Sequence, residues 1–155
     1  MTAGTNALAV TLAIDATPEV VWHCMTDRIA EWWCPAPWRL EVVEIDWRAG
    51  GCVAFDMLGP DGERVSSDGV FLEVEPCRKF VSTDAYRVGW IPAEPFMTGE
   101  WAIEPHGLGT RYRASARHWT KAACEQHRAM GFEDGWMQCA QQLKALAEGL
   151  ARTPS

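Results

Sequence analysis

At 155 residues the chain has the length of one ordinary domain, long enough for a single core to bury roughly 70% of its unfolded surface. With 48% hydrophobic and 23% charged residues, its composition is globular and excludes a disordered chain. A formal net charge of −7 excludes the positive field that draws proteins to nucleic acid or anionic lipid, and no run of 18 apolar residues is present to span a membrane.

Leu8 to Ile14 alternates, with Leu8, Val10, Leu12 and Ile14 on one side, which predicts a first strand. Thr17-Pro18-Glu19 then supplies a hydroxyl cap, a proline at the first helical position and an acid in the first turn. One or two short helices are expected from Pro18 to about Trp33, with Thr26-Asp27 as a second cap. Cys34-Pro35-Ala36-Pro37 ends that stretch, because proline lacks the donor and restricts the residue before it.

Strands and tight turns follow. Arg39 to Trp47 reads as a strand closed by Gly50-Gly51, and Cys52 to Leu58 as the next. Gly59-Pro60-Asp61-Gly62 reads as a hairpin turn, in which proline presets the first dihedral and Gly62 tolerates positive φ. Arg64 to Glu75 and Arg78 to Ala85 continue the sheet around Pro76, and Tyr86 to Pro95, with its glycine and two prolines, reads as a longer loop. Phe96 to Glu104 and Thr110 to Trp119 form the last hairpin. On one face lie Met97, Trp101 and Ile103, answered by Tyr112, Ala114, Ala116 and His118. Glu100, Glu104, Arg111, Arg113 and Arg117 occupy the other, so the sheet is wet on one face and covered on the other.

The cover comes last. Phe132, Trp136, Cys139, Leu143, Leu146 and Leu150 are spaced 4, 3, 4, 3 and 4, the stripe of an amphipathic helix. Thr120 is a plausible cap for a helical stretch from Lys121, weakened in its middle by Gly131 and Gly135. The expected fold is therefore α+β: a curved antiparallel sheet of about seven strands wrapped around a long C-terminal helix. No repeat or linker divides the chain, so a single domain over residues 1–155 with a core over about 8–150 is expected.

Nine tryptophans suit the wall of an internal cavity, and equally a small core or a dimer interface. Six cysteines include no C-x-x-C pair and no histidine at finger-like spacing, so neither a metal site nor a disulfide framework is expected. Reduced thiols fit a cytoplasmic chain, which is also what the lack of a basic-then-apolar leader pattern suggests.

The order of elements and the local wording resemble one family. The matching segments include Ala16-Thr17-Pro18-Glu19-Val20-Val21-Trp22, Trp32-Trp33-Cys34-Pro35-Ala36-Pro37-Trp38 and Ile45-Asp46-Trp47-Arg48-Ala49-Gly50-Gly51. Further on come Leu72-Glu73-Val74-Glu75-Pro76, Phe80-Val81-Ser82-Thr83-Asp84-Ala85, His118-Trp119-Thr120 and Met130-Gly131-Phe132-Glu133-Asp134-Gly135-Trp136. Together they resemble the START-like, or SRPBCC, superfamily with its helix-grip fold. The nearest subgroup is the one related to the activator of the 90-kDa heat-shock chaperone's ATPase. The resemblance implies a cavity between sheet and long helix, hosting whatever its lining selects. It implies no cofactor.

Three functional readings follow. The first is a binding domain for a small hydrophobic or aromatic ligand, lined by Trp33, Trp38, Phe55, Met57, Trp101, Tyr112, His118, Phe132 and Trp136. The second is a cyclase- or hydrolase-like enzyme in the same cavity, with His118 as general acid or base, although a core histidine bonded to a backbone carbonyl is the simpler reading. The third is a co-chaperone-like or homodimerising module whose cavity is filled solid. Asp46 and Arg48 read as a structural ion pair pinning the Gly50-Gly51 turn, and Cys34 as a packing thiol at a helical C-terminus, where no dipole lowers its pKa. Neither a phosphate loop, a nucleophile elbow nor a His-Glu metal motif occurs.

Overall fold

The computed structural model describes residues 6–152. Seven strands form one sheet: β1 (Ala7–Ile14), β2 (Arg39–Ile45), β3 (Cys52–Leu58), β4 (Arg64–Glu75), β5 (Lys79–Thr83), β8 (Thr98–His106) and β9 (Gly109–Arg117). Their spatial order is β1-β9-β8-β5-β4-β3-β2, and every neighbouring pair is antiparallel. Bulges between Val42 and Glu44 in β2 and between Phe71 and Glu73 in β4 add local twist and bend the sheet into a grip. The alternation read from the last hairpin holds with one exception: Trp101, Ile103, Tyr112, Ala114 and Ala116 are buried and Arg111, Arg113 and Arg117 are exposed, but Ser115, in step with the arginines, is buried as well.

The first helix, α1 (Pro18–Thr26), starts where the cap chemistry places it, with the Thr17 hydroxyl accepting from the Val20 N–H at 3.4 Å. The expected second helix is a single 3-10 turn, Ile29–Glu31, and Thr26-Asp27 does not cap it. Thr26 instead bonds back to the Trp22 carbonyl at 2.9 Å, and Asp27 caps the C-terminus of α1. The loop expected over Tyr86–Pro95 carries a two-stranded ribbon, β6 (Tyr86–Arg87) with β7 (Ile91–Pro92), turning through positive φ at Gly89 and Trp90.

The C-terminal helical stretch divides into α2 (Lys121–Ala129) and α3 (Phe132–Arg152). The break is at Gly131, whose φ of +94° ends the helix, as glycine does where a helix passes into the left-handed region. The Phe132, Trp136, Cys139 and Leu143 stripe of α3 is buried, while Leu146 and Leu150 are partly buried. The α3 helix packs on β1 and α1. Polar ties fix its position there: Lys144 Nζ donates to the Ala13 carbonyl at 3.2 Å, and the Asp15 N–H donates to Glu148 Oε2 at 2.8 Å. Among the described residues no helix is long and apolar enough to cross a membrane.

Candidate ligand cavity

Because α3 lies over the β1-β9-β8 end, the concave side of β3 and β4 is left facing open space. Val53, Phe55 and Met57 alternate along β3, and Ser67, Gly69 and Phe71 along β4, and all six line a two-lobed cavity. Its inner lobe, about 90 Å³, also touches Trp47, Phe80 and Trp101. The outer lobe, about 430 Å³, runs on to Phe96, His127, Phe132 and Trp136. Trp33, Phe55, Ser67, Asp84 and Met97 line both lobes, so the two adjoin.

An aromatic wall separates this space from the filled core. Trp33 packs edge-on against Trp101 (5.4 Å between ring centroids) and Trp136 (5.0 Å), which stack on each other at 5.5 Å and 17°. Phe132 closes the outer end at 4.4 Å from Trp136, and Phe80 stacks on Trp101 at 5.1 Å. Two local features place these rings. A Cβ on Gly99 would stand 2.5 Å from the Trp101 ring, so glycine there leaves room for the indole two residues on. The Trp33 segment is clamped to α3 by Gln142, whose Nε2 donates to the carbonyls of Trp32 (2.8 Å) and Cys34 (2.9 Å).

Six of the nine residues singled out from the sequence, Trp33, Phe55, Met57, Trp101, Phe132 and Trp136, line the cavity. The other three do not. Tyr112 points to the covered face as its alternation predicts, but Trp32 sits on it at 6.1 Å, and it is fully buried. Burial raises its phenol well above the ordinary range, and the hydroxyl has no partner among the described residues. Trp38 lies ahead of β2, its N–H donating to the Pro35 carbonyl at 3.0 Å. His118 follows the end of β9 and turns away from the cavity, toward α2.

His118 is held at both nitrogens. Its Nδ1 lies 3.1 Å from the Asn6 carbonyl and its Nε2 2.9 Å from His127 Nδ1. The Phe96 ring covers both imidazoles. Burial, with the neighbouring His118, lowers the pKa of His127 to about 4. His127 was not among the sequence candidates. The signal for it was Cys124 and His127 three apart on α2, both buried, which a single stripe from Phe132 onward left out. Asp84 was missed as well. Its Oδ1 accepts the N–H groups of Phe96 (2.8 Å) and Met97 (3.2 Å), pinning the segment just ahead of β8 that brings both residues to the cavity.

The remaining candidates have structural roles. Arg48 Nε donates to Asp46 Oδ2 at 2.6 Å on the surface, beside the turn in which the Gly51 N–H bonds the Arg48 carbonyl at 2.8 Å. The six cysteines are free thiols. Burial pushes Cys34 up to about 11 and Cys139 up to about 12, which leaves both poorly nucleophilic although they touch the cavity.

This architecture is shared with known proteins. Residues 15–148 match the family described as activator of Hsp90 ATPase homolog 1-like protein. The chain belongs to that family. A solved structure from Nitrosomonas europaea is 30% identical, with a TM-score of 0.89 over 97% of this chain and 98% of that one. Another, from Mycobacterium smegmatis, is 25% identical with a TM-score of 0.79 over 94% and 93%. The AHSA1 protein of Silicibacter pomeroyi shares the fold at 18% identity, with a TM-score of 0.67 over 90% and 95%. No curated protein matches the chain. The fold of this Hsp90-activator-like family suits a ligand-binding or interaction domain.

Proposed function

We propose that this protein binds a small hydrophobic or aromatic molecule in the cavity between the β3–β4 face and the Trp33–Trp101–Trp136 wall, as a cytoplasmic carrier or sensor. One observation carries the reading: the outer lobe holds about 430 Å³ of space with a mostly apolar lining. That volume falls within the range typical of small-molecule sites, and a chain whose tryptophans served only as packing would fill it.

The test is a titration with the apolar fluorophore N-phenylnaphthylamine. Saturable binding in the micromolar range, about −8 kcal/mol, is expected, with quenching of tryptophan emission. The melting temperature should rise with probe concentration, since the folded state alone binds it. Ser67→Phe puts a ring where the two lobes meet and should abolish binding without unfolding the chain, whereas Arg113→Ala on the wet face should leave it unchanged. Absence of saturable binding by the wild type, or equal binding by Ser67→Phe, sinks the proposal.

A further inference from the structure

The outer lobe is apolar apart from its cysteines and four polar side chains, Ser66, Ser67, Asp84 and His127. Two of these are engaged elsewhere: Ser66 Oγ donates to Asp56 Oδ1 at 2.6 Å, and Asp84 Oδ1 accepts two backbone N–H groups. His127 is different, because the hydrogen-bond chain behind it dictates its tautomer. The Asn6 carbonyl can only accept, so His118 Nδ1, 3.1 Å away, carries its hydrogen. A His118 ring carrying that one hydrogen is bare at Nε2, and His127 Nδ1, 2.9 Å from that atom, then donates to it. His127 is therefore bare at its own Nε2. No described residue bonds that nitrogen, on a ring that is 8% exposed and lines the cavity.

In the open lobe water can reach this nitrogen, but a ligand that fills the lobe displaces that water and must supply the hydrogen itself or leave an acceptor unpaired at a cost. The lone pair and the Asp84 carboxylate both repel an anion. The stacked indoles favour a flat π-system over a chain alcohol. We propose that the ligand carries a neutral hydroxyl of the phenol or enol type and donates it to His127 Nε2, with its ring against the tryptophan wall. The proposal rests on the cavity reading above. His118 is a positioning residue in it, fixing the orientation and tautomer of His127. With its pKa lowered to about 4, His127 stays neutral near pH 7 and accepts a hydrogen bond without removing the proton.

Three probes of one size separate the possibilities: naphthol, its methyl ether methoxynaphthalene, and naphthylmethylammonium. The wild type should bind naphthol about tenfold more tightly than the ether, one buried hydrogen bond's worth. In His127→Phe, which keeps a ring on Phe96, that ratio should fall to about one while the ether still binds. Nitrogen-15 NMR of the unliganded wild type provides a readout that needs no variant. Both imidazoles should be Nδ1–H tautomers, and naphthol should shift the His127 Nε2 resonance. A hydrogen found on His127 Nε2, a ratio surviving in His127→Phe, or tightest binding by the ammonium overturns the proposal. If naphthol and ether bind alike, the cavity stands and the hydroxyl donor alone falls. If none of the three binds, the cavity reading falls and this proposal with it.

Discussion

The two ends of the sheet both turn apolar side chains inward, and those faces meet different fates. On β9, inward-facing Tyr112, Ala114 and Ala116 are 0% exposed, sealed by α3, Trp32 and the rings around them. On β3, inward-facing Val53, Phe55 and Met57 are just as apolar yet only partly buried. Geometry accounts for the difference. Seven strands at about 4.8 Å spacing span roughly 29 Å, while one helix with its side chains is about 10–12 Å across. A single helix therefore covers only part of such a sheet, and where it docks decides which strands line a core and which line a cavity. Alternation tells which face of a strand is inward; it does not tell whether anything sits on it.

That contrast is open to direct attack by truncation. Leu143, 0% exposed on α3, should cost about 2–5 kcal/mol when changed to alanine, read from urea or guanidinium unfolding midpoints. A cost under about half a kcal/mol would mean that the helix does not seal its end of the sheet. The next largest effect is expected at the seam between the two ends, where His127 is buried neutral. Its pKa is lowered from 6.5 to about 4, so between those values the unfolded chain binds a proton that the fold refuses. Stability is full above about pH 6.5 and should decline as pH falls toward 4, by at most about 3 kcal/mol. The groups facing His127 are His118 on one side and, across the outer lobe, Asp84. His127→Phe should flatten this decline, and an unchanged slope would place the titrating group elsewhere.

Which parts of this were legible in the sequence follows from the range of the signals. Strand alternation in Thr98–His106 and Gly109–Arg117 and the Phe132-to-Leu143 stripe are local periodicities, and they placed their elements and inward faces. The break at Gly131 was visible as a weak point in a long helix, but a glycine at φ +94° cannot be told from a tolerated mid-helix glycine without its partners. The cavity is not local at all. Tyr112 and Trp101 share an inward face on neighbouring strands, yet Trp32 covers the first and leaves the second on the cavity wall. Trp47, Ser67, Asp84 and His127 come from four separate segments that only the curl of the sheet brings together. Of the four, His127 alone carries a local signal, its spacing three residues from Cys124 on α2.

A smaller effect is expected at Phe55, on the open end. Since it borders space on both lobes, Phe55→Ala should cost well below the 3–5 kcal/mol of a sealed phenylalanine, about 1 kcal/mol, while weakening probe binding. A full-sized loss would mean that the β3–β4 face is as tightly packed as the β9 face, and the contrast between the two ends would disappear.

The smallest effects test whether cover alone separates the ends. Arg39 on β2 and Arg113 on β9 are both exposed, one at each end of the sheet. Neither fills a core, so each alanine substitution should change stability by no more than about 0.5 kcal/mol, and by similar amounts. Paired unfolding curves of the two variants check this. If Arg39→Ala proved much the more costly, the β2–β3 end would be intrinsically weaker in its strand pairing, and the partial burial of Phe55 would reflect a loose sheet edge. Equal, small effects leave the position of α3 as the difference between a closed core and an open cavity.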